Sequence, residues 1–408
     1  GEIDLSLFKR VMDKFHAEDI SVVFCTPTPT PPVWLSHGHP DRLFTDADGN
    51  RLIHGARQHI SYEHPVVRQA CYRIVEAIAK ELGGHPSIID NELKCHVAED
   101  FSDAAVANWH IWLRKKYGTI ERLNEAWNTH VWSTYYHSFE QVPAPRKTPF
   151  LHNASLSTAY RMFNRERIAE FSDDQATIIR KYSSAPITHN TNPAFSVNHE
   201  RLFENLDFGA YDAYPTTKDW AALAFRSDMY RAAKPGRPFW LMETSVSHNG
   251  WLGNHSPMHA PGFLKAESIL IYGLGGEAIC YWLWRQQRSG AEISHSAVMS
   301  SWFKPTTGYS QVLEVEEARR QLEPVICESK PLVPEIAVTW SDLGRAMIET
   351  ENLDKEDGYP ANYQSLIQFW QTLIMDKGYH RDVRFEGASL DGLKLLITPS
   401  MPHVSEAF

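Results

Sequence analysis

The chain is 408 residues long, with 43% hydrophobic and 22% charged residues, 22 Gly and 24 Pro. That composition supplies a large core and excludes disordered, collagen-like and disulfide-scaffold classes. Lys and Arg number 40 against 50 Asp and Glu, a formal charge of −10 that repels phosphate backbones and anionic lipid and so excludes nucleic-acid and membrane-surface partners.

The five cysteines, Cys25, Cys71, Cys95, Cys280 and Cys327, are far apart and form no C-x-x-C pair. Reduced thiols are expected, not a disulfide framework or a zinc ribbon, which favours the cytoplasm although no address is legible. The most apolar stretch, Ser268 to Trp284, is broken by Gly273, Gly275, Gly276 and Glu277 and does not read as a membrane span. The 13 Trp have two uses: filling a core or stacking on a ligand such as a sugar.

In chain order, Asp4 caps a predicted helix whose apolar face is Leu5, Phe8, Val11, Met12 and Phe15, and a short strand follows at 20–24. Pro65 opens a second helix with Val67, Cys71, Ile74, Val75, Ile78 and Leu82 on one face; Gly83 and Gly84 stop it, and Ile88 and Ile89 follow as strand. Helices are predicted around 105–117, 120–127 and from Tyr160 to Ile179, then strands at 186–190, 208–214, 239–244 and 279–284, the last preceded by a helix at 263–272. Short apolar strands separated by helices are the pattern of parallel βα units. Polar residues fall at successive strand ends: His189 and Asn190, Asp212 and Tyr214, Glu243, Arg285 and Gln286. A barrel gathers such residues from many loops at one rim, whereas a doubly wound sheet concentrates them at one switch point. Beyond residue 318, strands at 334–340 and 393–398 and a helix at 361–375 lack polar ends and read as a second α/β domain.

Asp90-Asn91-Glu92 ends one predicted strand and Met242-Glu243-Thr244 another. Paired carboxylates at a rim are what glycoside hydrolysis needs: one gives a proton to the leaving oxygen, the other attacks the anomeric carbon or activates water.

Thr26-Pro-Thr-Pro-Thr-Pro-Pro-Val-Trp-Leu35, Asp90-Asn-Glu92, Lys116-Tyr-Gly-Thr-Ile-Glu-Arg-Leu-Asn-Glu-Ala-Trp127, Val131-Trp-Ser133, Leu241-Met-Glu243 and Trp284-Arg-Gln-Gln-Arg-Ser-Gly-Ala-Glu292 together resemble the β-galactosidases of glycoside hydrolase family 42. The resemblance implies an α/β fold: a (β/α)8 TIM barrel over 1–318, followed by part of a flavodoxin-like α/β domain over 319–408 that mediates trimers. It implies a retaining mechanism, with Glu92 as acid/base, Glu243 as nucleophile and the two carboxyls about 5 to 5.5 Å apart. Asn91 would bond the sugar 2-hydroxyl, and Arg57 would be the subsite arginine. Glu292 and His295 would grip galactose hydroxyls, Trp132 and Trp251 would contact the sugar, and Tyr214 would orient Glu243, with Tyr211 a competitor for that role.

The chain departs from the family pattern in places. Only Cys95 stands where the family often has a metal-binding cysteine cluster, so no metal and no cofactor are expected. His37-Gly-His39 lacks a carboxylate or thiolate partner and reads as surface. The run from His85 to Asp90 is shorter than the family's, and the first two barrel strands are expected to be absent from this chain, which implies a longer protein.

The expected function is exo-acting hydrolysis of terminal β-D-galactosyl residues of short galactosides, with a galactoside as partner and a homotrimer as assembly. The same chemistry on α-L-arabinopyranosides or β-D-fucosides is the enzymatic alternative. A non-catalytic glycan-binding protein is the other.

Overall fold

Pro at a first helical turn loses nothing, because that N–H has no partner inside the helix. Pro65 uses this freedom: the helix it opens, α3, runs Pro65–Leu82 and buries Val67, Cys71, Val75, Ile78 and Leu82, the face expected from the sequence apart from the half-buried Ile74. The structure, a computed structural model, describes residues 2–84, 88–90 (backbone only), 99–351, 363–406 and 408. Its residues fall into two units, Gly1–Ile187 with Phe195–Leu206 and Asp342–Tyr359, and Thr188–Ala194 with Asp207–Ser341 and Pro360–Phe408.

In the first unit, α1 (Ser6–Ala17), β1 (Val23–Cys25) and α2 (Val33–Ser36) precede α3. Asp4 Oδ1 accepts the Ser6 N–H at 2.9 Å, the capping contact its side chain suits. Of the expected apolar face of α1, only Met12 is buried; Phe8, Val11 and Phe15 stay exposed. β2 (Ile88–Asp90) pairs in parallel with β1, Phe24 opposite Ile89, and β3 (Ile187–Thr188) is the third strand of that sheet.

Next along this unit come α4 (Asp103–Tyr117), α5 (Ile120–Trp127) and α6 (Ala154–Ile179). Ser102 and Thr119 cap the first two by accepting the Ala105 and Arg122 N–H groups. Their inner faces form an aromatic core of Trp109, Trp112, Trp127, Tyr160 and Phe163, with Trp109 and Trp112 stacked at 5.3 Å. Half of the question about tryptophan is thereby answered, since these rings fill a core.

In the second unit, β4 (Asn190–Thr191) leads a parallel sheet. In the first, α7 (His199–Phe203) follows it in the chain. Returning to the second unit, β5 (Ala210–Asp212), α8 (Trp220–Ala233) and β6 (Phe239–Thr244) follow, then a hairpin of β7 (Gly250–Trp251) and β8 (Asn254–His255), then α9 (Phe263–Gly273) and β9 (Gly276–Tyr281). The sheet order is β4-β5-β6-β9, all parallel. The run expected as one strand at 186–190 is divided between β3 and β4 at His189.

α10 (Thr307–Glu328) runs through residue 318, and β10 (Ile336–Trp340) follows it. In the first unit, α11 (Asp342–Thr350) packs on α6, where buried Arg165 donates to the Asp342 carbonyl at 2.9 Å. The second unit closes with α12 (Tyr363–Asp376), β11 (Asp382–Phe385) and β12 (Leu395–Ile397), and its C-terminal sheet has the parallel order β11-β10-β12. Buried Asp228 of α8 binds Arg231 at 2.8 Å and Arg381 at 3.1 Å, and Arg231 also binds Asp382 at 3.1 Å, so ion pairs tie α8 to β11. A buried carboxylate with two guanidinium partners is compensated; removing either partner leaves a charge in a poor solvent.

Candidate active site

β6 reads Phe-Trp-Leu-Met-Glu-Thr, with Phe239, Leu241, Met242 and Thr244 buried and Glu243 half-buried. Between Leu241 and Thr244 the strand carries one residue more than β9 carries between Ile279 and Tyr281, and the pairing with β5 also shifts, from Tyr211 opposite Leu241 to Asp212 opposite Glu243. Such a bulge re-aims side chains at the end of a strand. Glu243 therefore leaves the sheet at an irregular point, where its carbonyl accepts the Ala213 N–H at 3.0 Å.

Tyr214, two residues past β5, donates its hydroxyl to Glu243 Oε2 at 2.5 Å. Burial raises the phenol's pKa, and the nearby charges of Glu243, Asp212 and Glu292 raise it further, so the hydroxyl remains a donor. Tyr211, the competing phenol, belongs elsewhere: its hydroxyl lies 2.9 Å from Ser227 Oγ of α8 and its ring stacks on Tyr230.

His295 is buried with its ring 5.3 Å from that of Tyr214, nearly edge-on. Its Nδ1 lies 3.1 Å from the Ser296 carbonyl, which can only accept, so Nδ1 carries the proton and Nε2 offers a lone pair. Burial lowers its pKa, which keeps the ring neutral in that tautomer near pH 7, and Nε2 has no partner among the described residues. Half-buried Glu292 acts electrostatically on both His295 and Tyr214.

Trp251 lies on β7 and is 44% exposed. The hairpin is held to the loop carrying Glu292 by the Leu252 N–H, which donates to the Ala291 carbonyl at 2.7 Å. Gly250 is needed there, because a Cβ would lie 2.8 Å from the Ser294 carbonyl.

Thus the structure brings Tyr214, Glu243, Glu292 and His295 together in the second unit. Arg57 and Trp132 belong to the first unit. Arg57 is exposed and precedes buried Gln58, whose φ is +66°. Trp132 is 79% exposed, with its ring 5.8 Å from that of Phe150. Both Trp132 and Ser133 have positive φ, 55° and 57°, a costly backbone for residues other than Gly. Asn91, Glu92 and Cys95 lie outside the described residues. Among the described residues, no three His, Cys, Asp or Glu side chains are grouped to hold a metal, and His37 and His39 are exposed.

Sequence reasoning did not assign two further polar groups here. Asn190, at the start of β4, donates to Asp212 Oδ2 at 2.8 Å, and its own buried Oδ1 has no hydrogen-bond partner among the described residues. Trp282, whose backbone N–H donates to the Thr244 carbonyl at 2.8 Å, buries an indole N–H that has no partner among the described residues. Buried polar atoms without partners are uncommon and costly, and a hydroxyl-rich ligand is one means of satisfying them.

Residues 1–322 match the family model of glycoside hydrolase family 42, described as β-galactosidase. The chain is 48% identical over 412 residues to the β-galactosidase YesZ of Bacillus subtilis strain 168, covering all of this chain and 61% of that protein. A β-galactosidase of Thermus thermophilus is 30% identical over 433 residues, with all of this chain and 65% of that protein covered. The chain thus spans about three fifths of the length of these curated relatives. Among solved structures, the β-galactosidase of the psychrophilic Marinomonas ef1 superposes with a TM-score of 0.92 at 26% identity, over 100% of this chain and 66% of that one. The enzyme from the haloarchaeon Halorubrum lacusprofundi does so with a TM-score of 0.90 at 26% identity, over 98% of this chain and 62% of that one. The parallel α/β fold is that of the TIM-barrel β-galactosidases. With its motifs, fold and family match in agreement, this chain belongs to the β-galactosidase family of glycoside hydrolase family 42.

Proposed function

We propose that this chain carries the catalytic part of a retaining exo-β-galactosidase that removes terminal β-D-galactosyl residues from short galactosides. The observation that carries the reading is the Tyr214–Glu243 hydrogen bond at the end of β6, inside the family match. A carboxylate held in place by a neutral phenol suits a nucleophile that must stay ionised and aimed.

In the proposed reaction a Glu243 oxygen attacks the anomeric carbon while the bond to the leaving oxygen breaks and Glu92 gives that oxygen its proton. Glu92 then takes a proton from water as the water oxygen attacks the same carbon, freeing galactose and restoring Glu243. Asn91 bonds the 2-hydroxyl, Glu292 and His295 take other hydroxyls, Trp132 and Trp251 cover the apolar sugar face, and Arg57 completes the subsite. The reaction uses no cofactor. The C-terminal part, from residue 319, is proposed to belong to a flavodoxin-like module that joins three copies.

Azide tests the assignment of Glu243. With Glu243→Ala and an activated aryl galactoside, azide should restore turnover and yield the α-galactosyl azide, because it enters from the face the carboxylate vacated. A β-azide, or turnover undiminished without azide, would contradict the role.

A further inference from the structure

Directly after Glu243, Thr244 closes β6 and turns its hydroxyl to α9. Its hydroxyl is fully buried and donates to Glu267 Oε1 of α9 at 2.9 Å. The bulge described above lies between Leu241 and Thr244, so ladder pairing alone does not fix the direction in which Glu243 leaves β6. The Thr244–Glu267 bond adds a side-chain tie from the helix side to the backbone bonds that Glu243 and Thr244 accept from Ala213 and Trp282. Glu267 is itself 3% exposed, and its second oxygen has no hydrogen-bond partner among the described residues. A buried carboxyl left half-satisfied costs stability, and an apolar residue would fill the same place without that cost.

We propose that Glu267 is a positioning residue for Glu243, acting through the Thr244 hydroxyl to hold the end of β6 in the reactive geometry. This rests on the reading of Glu243 as nucleophile. Burial pushes the Glu267 carboxyl up to about 8, so at neutral pH it is uncharged and leaves the charge of Glu243 undisturbed. Among the described residues, the phenols of Tyr211 on β5 and Tyr281 on β9 interact electrostatically with it, and burial keeps both protonated. Ionisation of Glu267 above about pH 8 places a second negative charge behind the nucleophile strand, which gives the enzyme an alkaline limit separate from that of its general acid.

The test compares Glu267→Gln, Glu267→Leu and Thr244→Val in the full-length protein, with kcat and KM measured on an aryl galactoside between pH 5 and 10. Loss of the acceptor in Glu267→Leu, or of the donor in Thr244→Val, should lower kcat by about tenfold or more while KM moves by less than about threefold. Glu267→Gln, whose amide oxygen still accepts, should recover most of that loss, and its alkaline limb should lie at higher pH than the wild type's. Should Glu267→Leu fail to fold, the kcat of Thr244→Val and the pH profile of Glu267→Gln decide the matter. Wild-type kcat in Thr244→Val together with an unmoved alkaline limb in Glu267→Gln would overturn the proposal. Turnover that survives Glu243→Ala would instead overturn the reading beneath it, and the proposal with it.

Discussion

The Tyr214 hydroxyl and Glu243 Oε2 stand 2.5 Å apart, a neutral donor on a carboxylate at the ends of neighbouring strands. This bond holds one oxygen of the carboxylate proposed as the nucleophile. Tyr214→Phe keeps the ring and removes the bond. A hydrogen bond to a charged group is worth about 1.5–3 kcal/mol, so kcat/KM should fall by roughly 10- to 150-fold with little change in thermal stability. Steady-state kinetics checks this, and an unchanged kcat/KM would mean that the phenol does not serve the carboxylate.

His295 presents a lone pair on Nε2 and spends its proton on the Ser296 carbonyl. His295→Phe preserves the ring and its contact with Tyr214 but removes the acceptor. We expect a loss in kcat/KM of about 10- to 100-fold, the cost of leaving a substrate hydroxyl unpaired in a dry site. A 3-deoxy or 4-deoxy galactoside, lacking the hydroxyl concerned, should narrow the gap between variant and wild type. An equal gap with both deoxy substrates would remove His295 from hydroxyl recognition.

Glu267 also makes a prediction about stability. Its pKa rises from the ordinary 4.5 to about 8 in the folded chain, so the folded state holds a proton that the unfolded state has lost across that interval. Stability from this group is fully present below pH 4.5 and is lost as pH rises to about 8. Glu267→Gln has no proton to lose, so its melting temperature relative to wild type should climb between pH 5 and pH 8.5. A difference that stays constant across that range would show that the carboxyl is not held neutral.

Gly209 immediately precedes β5, where the backbone of α8 comes close: a Cβ there would lie 2.2 Å from the Tyr230 carbonyl oxygen. Backbone cannot swing aside as a side chain can. Gly209→Ala should therefore cost about 1–3 kcal/mol, seen as a lower denaturant midpoint at unchanged slope.

Much of this was legible in the sequence because apolar periodicity and polar strand ends are local signals. β6 matches the expected 239–244, α5 matches 120–127, and Glu243 stood out as the acid closing an apolar run. β11 did not stand out, since Asp382-Val-Arg-Phe385 is only four residues long and half of them are charged; its charges are tolerated in a sheet because Arg231 of α8 and Arg384 pair with Asp382, partnerships that only folding creates. The exposed face of α1 was likewise hidden, since helical spacing says which residues share a face and not what covers it. In the site, Asn190 was visible as a polar strand end, but its unsatisfied oxygen, like the Trp282 indole N–H, is a property of burial. Tyr214 and Tyr211 looked alike in sequence, and strand direction separated them. The tryptophans divide in the same way: Trp109 and Trp340 are fully buried, while Trp132 and Trp251 are open to solvent.

The most direct measurement is intact mass spectrometry of the full-length protein incubated with 2-deoxy-2-fluoro-galactosyl fluoride, whose fluorine slows release of the sugar from a retaining nucleophile. The account predicts one added fluorosugar per chain, a peptide map that places it on Glu243, and no adduct in Glu243→Ala. An adduct on another carboxylate, or galactoside turnover with no trapped sugar, would contradict it.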